Sequence, residues 1–210
     1  TGSGKTTFLN ALSEHIPAGE RVVTIEDSAE LQLNGIENLV RLEVRMANGQ
    51  GTVPIEIRDL IRTALRMRPD RIIVGETRDG AVVSLLSAMS TGHEGSMSTG
   101  HANSPENLVN VRIPTMMEMD KDSSYSERAK ALMIAEAIQL IVQLRRLPNG
   151  RRVTSNICSV EGIDRNGKVL LQNIFVYDFQ NDKFVYTGNF PKKIANHLEM
   201  NGVPLDPSSM

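Results

Sequence analysis

The chain opens on Thr1-Gly-Ser-Gly-Lys-Thr-Thr7, and Lys5 to His15 has the pattern of a helix that ends at Pro17-Ala-Gly19. A glycine-rich turn running into a helix start points the backbone N–H groups of Gly2 to Thr6 at one place, where phosphate oxygens bind. Lys5 would neutralise β- and γ-phosphates, and the Thr6 hydroxyl would ligate Mg²⁺. Gly2, Ser3, Gly4 and Thr7 complete the nucleotide-binding candidates; a chance glycine-rich helix start is the alternative. The full pattern puts its first glycine two residues before Thr1 and a strand before that, so the chain reads as a piece that opens inside the motif.

Beyond this motif the chain alternates strand and helix. Arg21 to Ile25 is a short β-branched run, and Leu39 to Arg45 alternates Val40, Leu42 and Val44 with Arg41, Glu43 and Arg45. Asn48-Gly-Gln-Gly51 is a loop, then a helix to about Met67 is stopped by Pro69. Ile72-Ile-Val74 is a further strand, Ala81 to Met89 a helix, and Ser96 to Thr99 follows a glycine-bracketed loop. Ser124 and Glu127 form a capping-box pair that predicts a long helix through Leu144, with Glu136, Gln139 and Gln143 as its polar stripe. Met116, Met117 and Met119 read as packing. From Arg151 to Thr187 turns at Asn166-Gly and Asn181-Asp mark an antiparallel meander, and Lys192 to Met200 a last helix before a Pro-containing tail. Alternation of this kind predicts an α/β fold with a mostly parallel sheet flanked by helices, plus a helical segment and the meander.

Composition narrows the functions. A length of 210 residues is one medium domain, and the lone Cys158 forms no internal bridge or multi-cysteine zinc site. No apolar run reaches the roughly 18 residues of a membrane span, and the opening residues lack a signal peptide's pattern. A net charge of −2 with 4% aromatics leaves few groups to track phosphates or stack on bases, so no nucleic acid is expected. Yet eight of the sixteen arginines fall between Arg41 and Arg78, against five acids.

Several residues in and after that window carry candidate chemistry. Arg68-Pro-Asp-Arg-Ile-Ile-Val-Gly-Glu76 is an apolar strand ending in an acid, where Glu76 would face a nucleotide and orient water, or else be a solvated loop residue. Thr24-Ile-Glu-Asp27 repeats that layout, with Glu26 as base or outer Mg²⁺ partner, unless Asp27 merely caps a turn. Arg58, Arg62 and Arg66 line one helix face, a repulsive arrangement that makes sense opposite anions: a neighbour's γ-phosphate or plain carboxylates. Arg41 and Arg45 are a second such pair. His93 and His101 stand eight apart in a Gly/Ser/Thr-rich segment, which suggests phosphate sensing or subunit coupling rather than metal binding.

Together, Thr1 to Thr7, Thr24 to Leu31, Arg68 to Glu76 and Thr91 to Asn103 resemble the Walker A, Asp-box, Walker B and His-box motifs of the type II/IV secretion ATPases. Ala64 to Glu76 and Ser96 to Asn103 look closest to the tight-adherence pilus (CpaF-type) branch. The resemblance implies a RecA-like P-loop domain, 1–145, completed by a meander and helix, 146–210, of the same domain. It further implies ATP and Mg²⁺ as ligands, a homo-hexameric ring, cytoplasmic placement at the inner membrane through a platform protein, and hydrolysis that drives pilus assembly or secretion. By position it gives catalytic roles to Glu76, Glu26, His93 and His101, and interface roles to arginines such as Arg58 and Arg62. Ala81 departs from the acid expected there, and the N-terminal clamping domain that the resemblance implies lies outside the given sequence.

Overall fold

A computed structural model describes residues 2–47, 52–122 and 124–206; Thr1, the loop expected at 48–51 and the last four residues of the tail lie outside them. Two compact units emerge. One is built from Gly4–His101 and Ile113–Ser126, the other from residues 2–3, Ala102–Arg112 and 127–206.

The first unit holds α1 (Lys5–Ser13), β1 (Arg21–Glu26), β2 (Asn38–Glu43), α2 (Ile57–Leu65), β3 (Arg71–Glu76), α3 (Ala81–Met89) and β4 (Met97–Thr99). Its four strands are all parallel, in the order β2-β1-β3-β4. A parallel sheet covered on both faces needs apolar residues on both, which is why β1 and β3 read as unbroken runs rather than alternations. On one face Val23, Ile25, Ile72 and Val74 pack with Leu60, Ile61 and Ala64 of α2 and Leu85 and Ala88 of α3. On the other, Val22 and Ile73 pack with Leu9 of α1 and with Leu31 and Leu33 of the loop after β1. Outer strand β2 is half-exposed and keeps the alternation expected of it, with Arg41 and Glu43 outward. At the start of α3, Gly80 lies so close to Asp120 that a Cβ there would stand 2.7 Å from its backbone N and Cα.

The segment after β4 forms α4 (Pro105–Asn107), a π-helical turn (Leu108–Arg112) and α5 (Ile113–Glu118), which the sequence pattern does not resolve beyond a helical region. Met116 and Met117 are buried as expected, whereas Met119 is 52% exposed.

In the second unit, α6 (Glu127–Ala137) is followed by β5 (Leu140–Arg146), β6 (Arg152–Ile163), β7 (Val169–Asp178), β8 (Lys183–Tyr186) and α7 (Lys192–Met200). The strands make an antiparallel meander in chain order. The long helix expected through Leu144 therefore stops at Ala137. Leu140 to Arg146 instead pair with β6, from Leu140↔Ser159 to Arg146↔Arg152, a long-range pairing that overrides the helical pattern. Helix α6 begins on Glu127 itself rather than at the expected Ser124, and the Glu127 carboxylate binds the Lys130 ammonium at 2.7 Å. Cys158 is wholly buried on β6, its Sγ donates to Asn173 Oδ1 at 3.1 Å, and burial pushes its thiol up to about 11.

Candidate active site

Because the first unit's strands are parallel, their carboxyl ends share one edge, where Glu26, Glu43, Glu76 and Thr99 end β1 to β4. Such an edge is where open α/β sheets bind ligands. Helix α1 starts there on Gly4, whose φ of +90° only glycine adopts without strain. No side chain caps this helix start and no acid occupies its first turn. Its first N–H groups and the positive end of its dipole are thus left for an anion.

Lys5, His101, Glu76 and Arg78 meet in front of it. Lys5 Nζ lies 3.5 Å from His101 Nδ1 and 3.4 Å from Nε2. His101 Nε2 is in turn 3.1 Å from Glu76 Oε1, and the Arg78 guanidinium donates to Glu76 Oε2 at 2.9 Å. The arrangement suits the tautomer in which Nε2–H donates to Glu76 and Nδ1 accepts from Lys5. Thr99 donates its hydroxyl to the Gly75 carbonyl at 2.7 Å, tying the end of β4 to the residue before Glu76. Lys5 and Thr6 are half-buried and Thr7 is exposed; Gly2 and Ser3 belong to the second unit.

Burial alone would raise the Glu76 carboxyl, but the Arg78 hydrogen bond and the charges of His101, Arg78 and Lys5 outweigh it and hold it below its ordinary value. For His101, burial leads in lowering the imidazole; the Glu76 charge opposes this and Lys5 reinforces it. Both shifts have the same consequence. A depressed folded-state pKa means the unfolded chain binds protons first, so stability is full above the ordinary value and falls on acidification. Expected, then, is a loss of melting temperature that begins below about pH 6.5 with His101 and deepens below 4.5 with Glu76. Thermal melts from pH 7.5 to 4 check this against His101→Gln; an identical decline in both proteins above pH 5 would remove His101 from the account.

Other candidates are engaged elsewhere. Glu26 is buried and its Oε1 accepts the N–H groups of Glu30 and Leu31 at 3.0 and 2.9 Å, so it anchors the loop after β1. Its Cγ would stand 3.2 Å from a Cβ on Gly75, which puts it beside the end of β3. His93 Nδ1 meets the Ala88 carbonyl at 3.2 Å and closes the last turn of α3. It precedes β4 whereas His101 follows it, so the two histidines lie off opposite ends of that strand. The anions facing α2 are the chain's own: Arg58 binds Asp120 and Asp122 at 3.2 and 2.7 Å, and Arg62 reaches Asp122 at 3.9 Å. Arg41 and Arg45 donate to the carbonyls of Leu31 and Val53. Arg78, the end of the arginine-rich window, is a site residue that no motif in the sequence singles out. The signal was its place two residues beyond Glu76, just past the end of the strand, and Asp27 and Glu30 also act on its charge.

The model of the family described as type II/IV secretion system protein matches residues 1–202. The chain belongs to that family. Among its relatives, a putative conjugal transfer protein of Mycobacterium tuberculosis is 41% identical over 164 residues, 75% of this chain and 43% of that protein. The type IV secretion system protein PtlH of Bordetella pertussis is 46% identical over 146 residues, 70% of this chain and 43% of its own length. Among solved structures, the VirB11 ATPase of Brucella suis, in complex with sulphate, superposes with a TM-score of 0.66 at 31% identity, covering 80% of this chain and 48% of that one. The chain thus spans less than half the length of these curated relatives. Membership accounts for the fold: a parallel sheet flanked by helices, together with an antiparallel one, is shared with a secretion ATPase.

Proposed function

We propose that this chain is the catalytic domain of an ATP-hydrolysing motor that works as a homo-hexameric ring and powers pilus assembly or protein secretion across the bacterial inner membrane. The observation that carries the reading is the convergence of Lys5, His101 and Glu76 before an uncapped helix start. Lys5 and the N–H groups of the Gly2–Thr7 motif hold the phosphates. Glu76, kept ionised by Arg78 and His101, orients the attacking water and accepts its proton. His101 links Lys5 to Glu76 and senses whether phosphate stands between them. Glu26 sets the neighbouring loop.

Among the described residues no group of three or more His, Cys, Asp or Glu gathers as a metal site. That fits Mg²⁺, which enters on substrate phosphates and takes only one or two protein ligands. Thr6 would be the direct ligand. When bound, the ion neutralises charge on the phosphates.

The wording of Ala64 to Glu76 and Ser96 to Asn103 supports the tight-adherence pilus branch. On this reading, residues 1–145 and 146–210 serve one RecA-like domain. The partner on this reading is an inner-membrane platform protein that keeps the ring at the cytoplasmic face; no helix among the described residues is long and apolar enough to cross a membrane.

The test is ATP turnover and mass measured together on the full-length gene product. Particles six subunits in mass, with turnover per subunit rising as they assemble, are expected. Rings that never hydrolyse ATP would turn the reading into a non-catalytic assembly module, and a monomer without turnover would end it.

A further inference from the structure

The β5–β6 hairpin carries Arg145, Arg146, Arg151 and Arg152 within eight residues, and the proposed chemistry uses none of them. Arg145 stacks over the Phe179 ring, 5.5 Å from its centroid, and Arg151 pairs with Asp182 at 2.7 Å. Arg152 does neither. Its Nε donates to the carbonyl oxygen of Gly2 at 2.9 Å, across 150 residues of chain. The Arg146 guanidinium is close by, 3.9 Å from where a Cβ on Gly2 would stand. Among the described residues no carboxylate pairs with Arg146 or Arg152.

We infer that Arg152 is a positioning residue for the phosphate loop, aiming the Ser3 N–H at the bound nucleotide. The inference rests on the nucleotide reading above. Gly2 C=O and Ser3 N–H belong to one planar trans peptide, so the two bonds point in opposite directions. Fixing the oxygen on Arg152 fixes the N–H away from it. No group among the described residues accepts the Ser3 N–H, although Ser3 is half-buried. An amide held in one direction and left without an acceptor is ready for an anionic oxygen. Gly2 has a φ of +74°, a conformation with no side chain to steady it, so an external clamp is what keeps the peptide from swinging. The clamp is charge-assisted, which strengthens it and also polarises the peptide so that its N–H donates better. The Arg152 guanidinium acts on the nucleotide only through the loop. A residue acting this way improves the binding of ground state and transition state alike, so its loss appears in KM rather than kcat.

The experiment uses the full-length gene product and reads kcat and KM for ATP, the affinity for a fluorescent ADP analogue, and the melting temperature. Arg152→Ala is expected to raise KM and weaken ADP binding about tenfold with kcat within about twofold, while Arg152→Lys, which keeps a cationic donor, recovers most of the loss. A KM for Arg152→Ala within about twofold of native, or a fall in kcat at unchanged KM, overturns the assignment. Should Arg152→Ala fail to fold, Arg152→Gln decides by the same criterion. Lys5→Ala is run beside them. If it binds and turns over ATP normally, the nucleotide reading itself fails; if it is inactive while Arg152→Ala is native-like, only the clamp fails.

Discussion

On the proposed reading, Lys5→Ala and Glu76→Gln in the full-length gene product are each expected to abolish measurable ATP turnover, for different physical reasons. Removing the ammonium strips positive charge from the place where phosphate charge builds up, an effect worth roughly 10²–10³ in rate when one such donor is lost. Replacing the carboxylate removes a proton acceptor, worth roughly 10²–10⁴. The amide also meets a geometric conflict. Glu76 accepts on both oxygens, from His101 on one and Arg78 on the other, and a glutamine can accept on only one. Its NH₂ must then face a donor, so the substituted side chain loses orientation as well as charge. Nucleotide affinity separates the two variants: it drops for Lys5→Ala and stays near native for Glu76→Gln. Near-normal hydrolysis by either variant would sink the ATPase assignment.

A single methyl group at position 80 has the largest structural effect expected. Gly80 has φ −58° and ψ −13°, a helical conformation open to any residue, so alanine there meets no backbone strain and gains helix propensity. Such replacements stabilise by about 0.4–1 kcal/mol where there is room. Here there is none, because the new Cβ would stand 2.7 Å from the Asp120 backbone and 3.0 Å from the Met119 carbonyl carbon. Backbone yields less easily than a side-chain tip, and overpacking costs about 1–3 kcal/mol or more. The steric term wins. Separating α3 from residues 119–120 also pulls Asp120, whose side chain is 6% exposed, away from Arg58. Calorimetry should show Gly80→Ala melting roughly 4–8 °C lower for a net loss of about 2 kcal/mol in a chain this long. A melting temperature equal to native would mean that the 119–120 segment moves aside without cost.

Much of the parallel-sheet unit was legible in the chain because its signals are local. Apolar runs of β-branched residues mark β1 and β3, alternation marks β2, and glycine and proline punctuate the helices between. The turns after β6 and β7, at Asn166-Gly and Asn181-Asp, were equally plain. The stretch from Leu140 to Arg146 was not: its apolar residues continue the spacing of α6, and only pairing with β6, beyond the hairpin turn, decides for a strand. At the site the motif order pointed to Lys5 and Glu76, yet two histidines in one segment look equivalent until β4 is seen to run between them. The arginines of α2 looked like groups awaiting a phosphate because their carboxylates, Asp120 and Asp122, lie some sixty residues further on. Arg152 was invisible for the same reason. A main-chain carbonyl leaves no mark in sequence, and its distance along the chain hid the clamp.

The buried thiol of β6 has a practical consequence for labelling this chain. At neutral pH a thiol near 11 is thiolate in only about one molecule in ten thousand, whereas an exposed cysteine near 8.5 is thiolate in a few per cent. Cys158 is also sealed from solvent. A dye or spin label added to the folded chain would pass it by and modify a cysteine introduced on the surface, so the natural residue need not first be replaced. Two such surface cysteines, one on each compact unit, would report by energy transfer or spin–spin distance whether the units change separation as nucleotide binds and leaves.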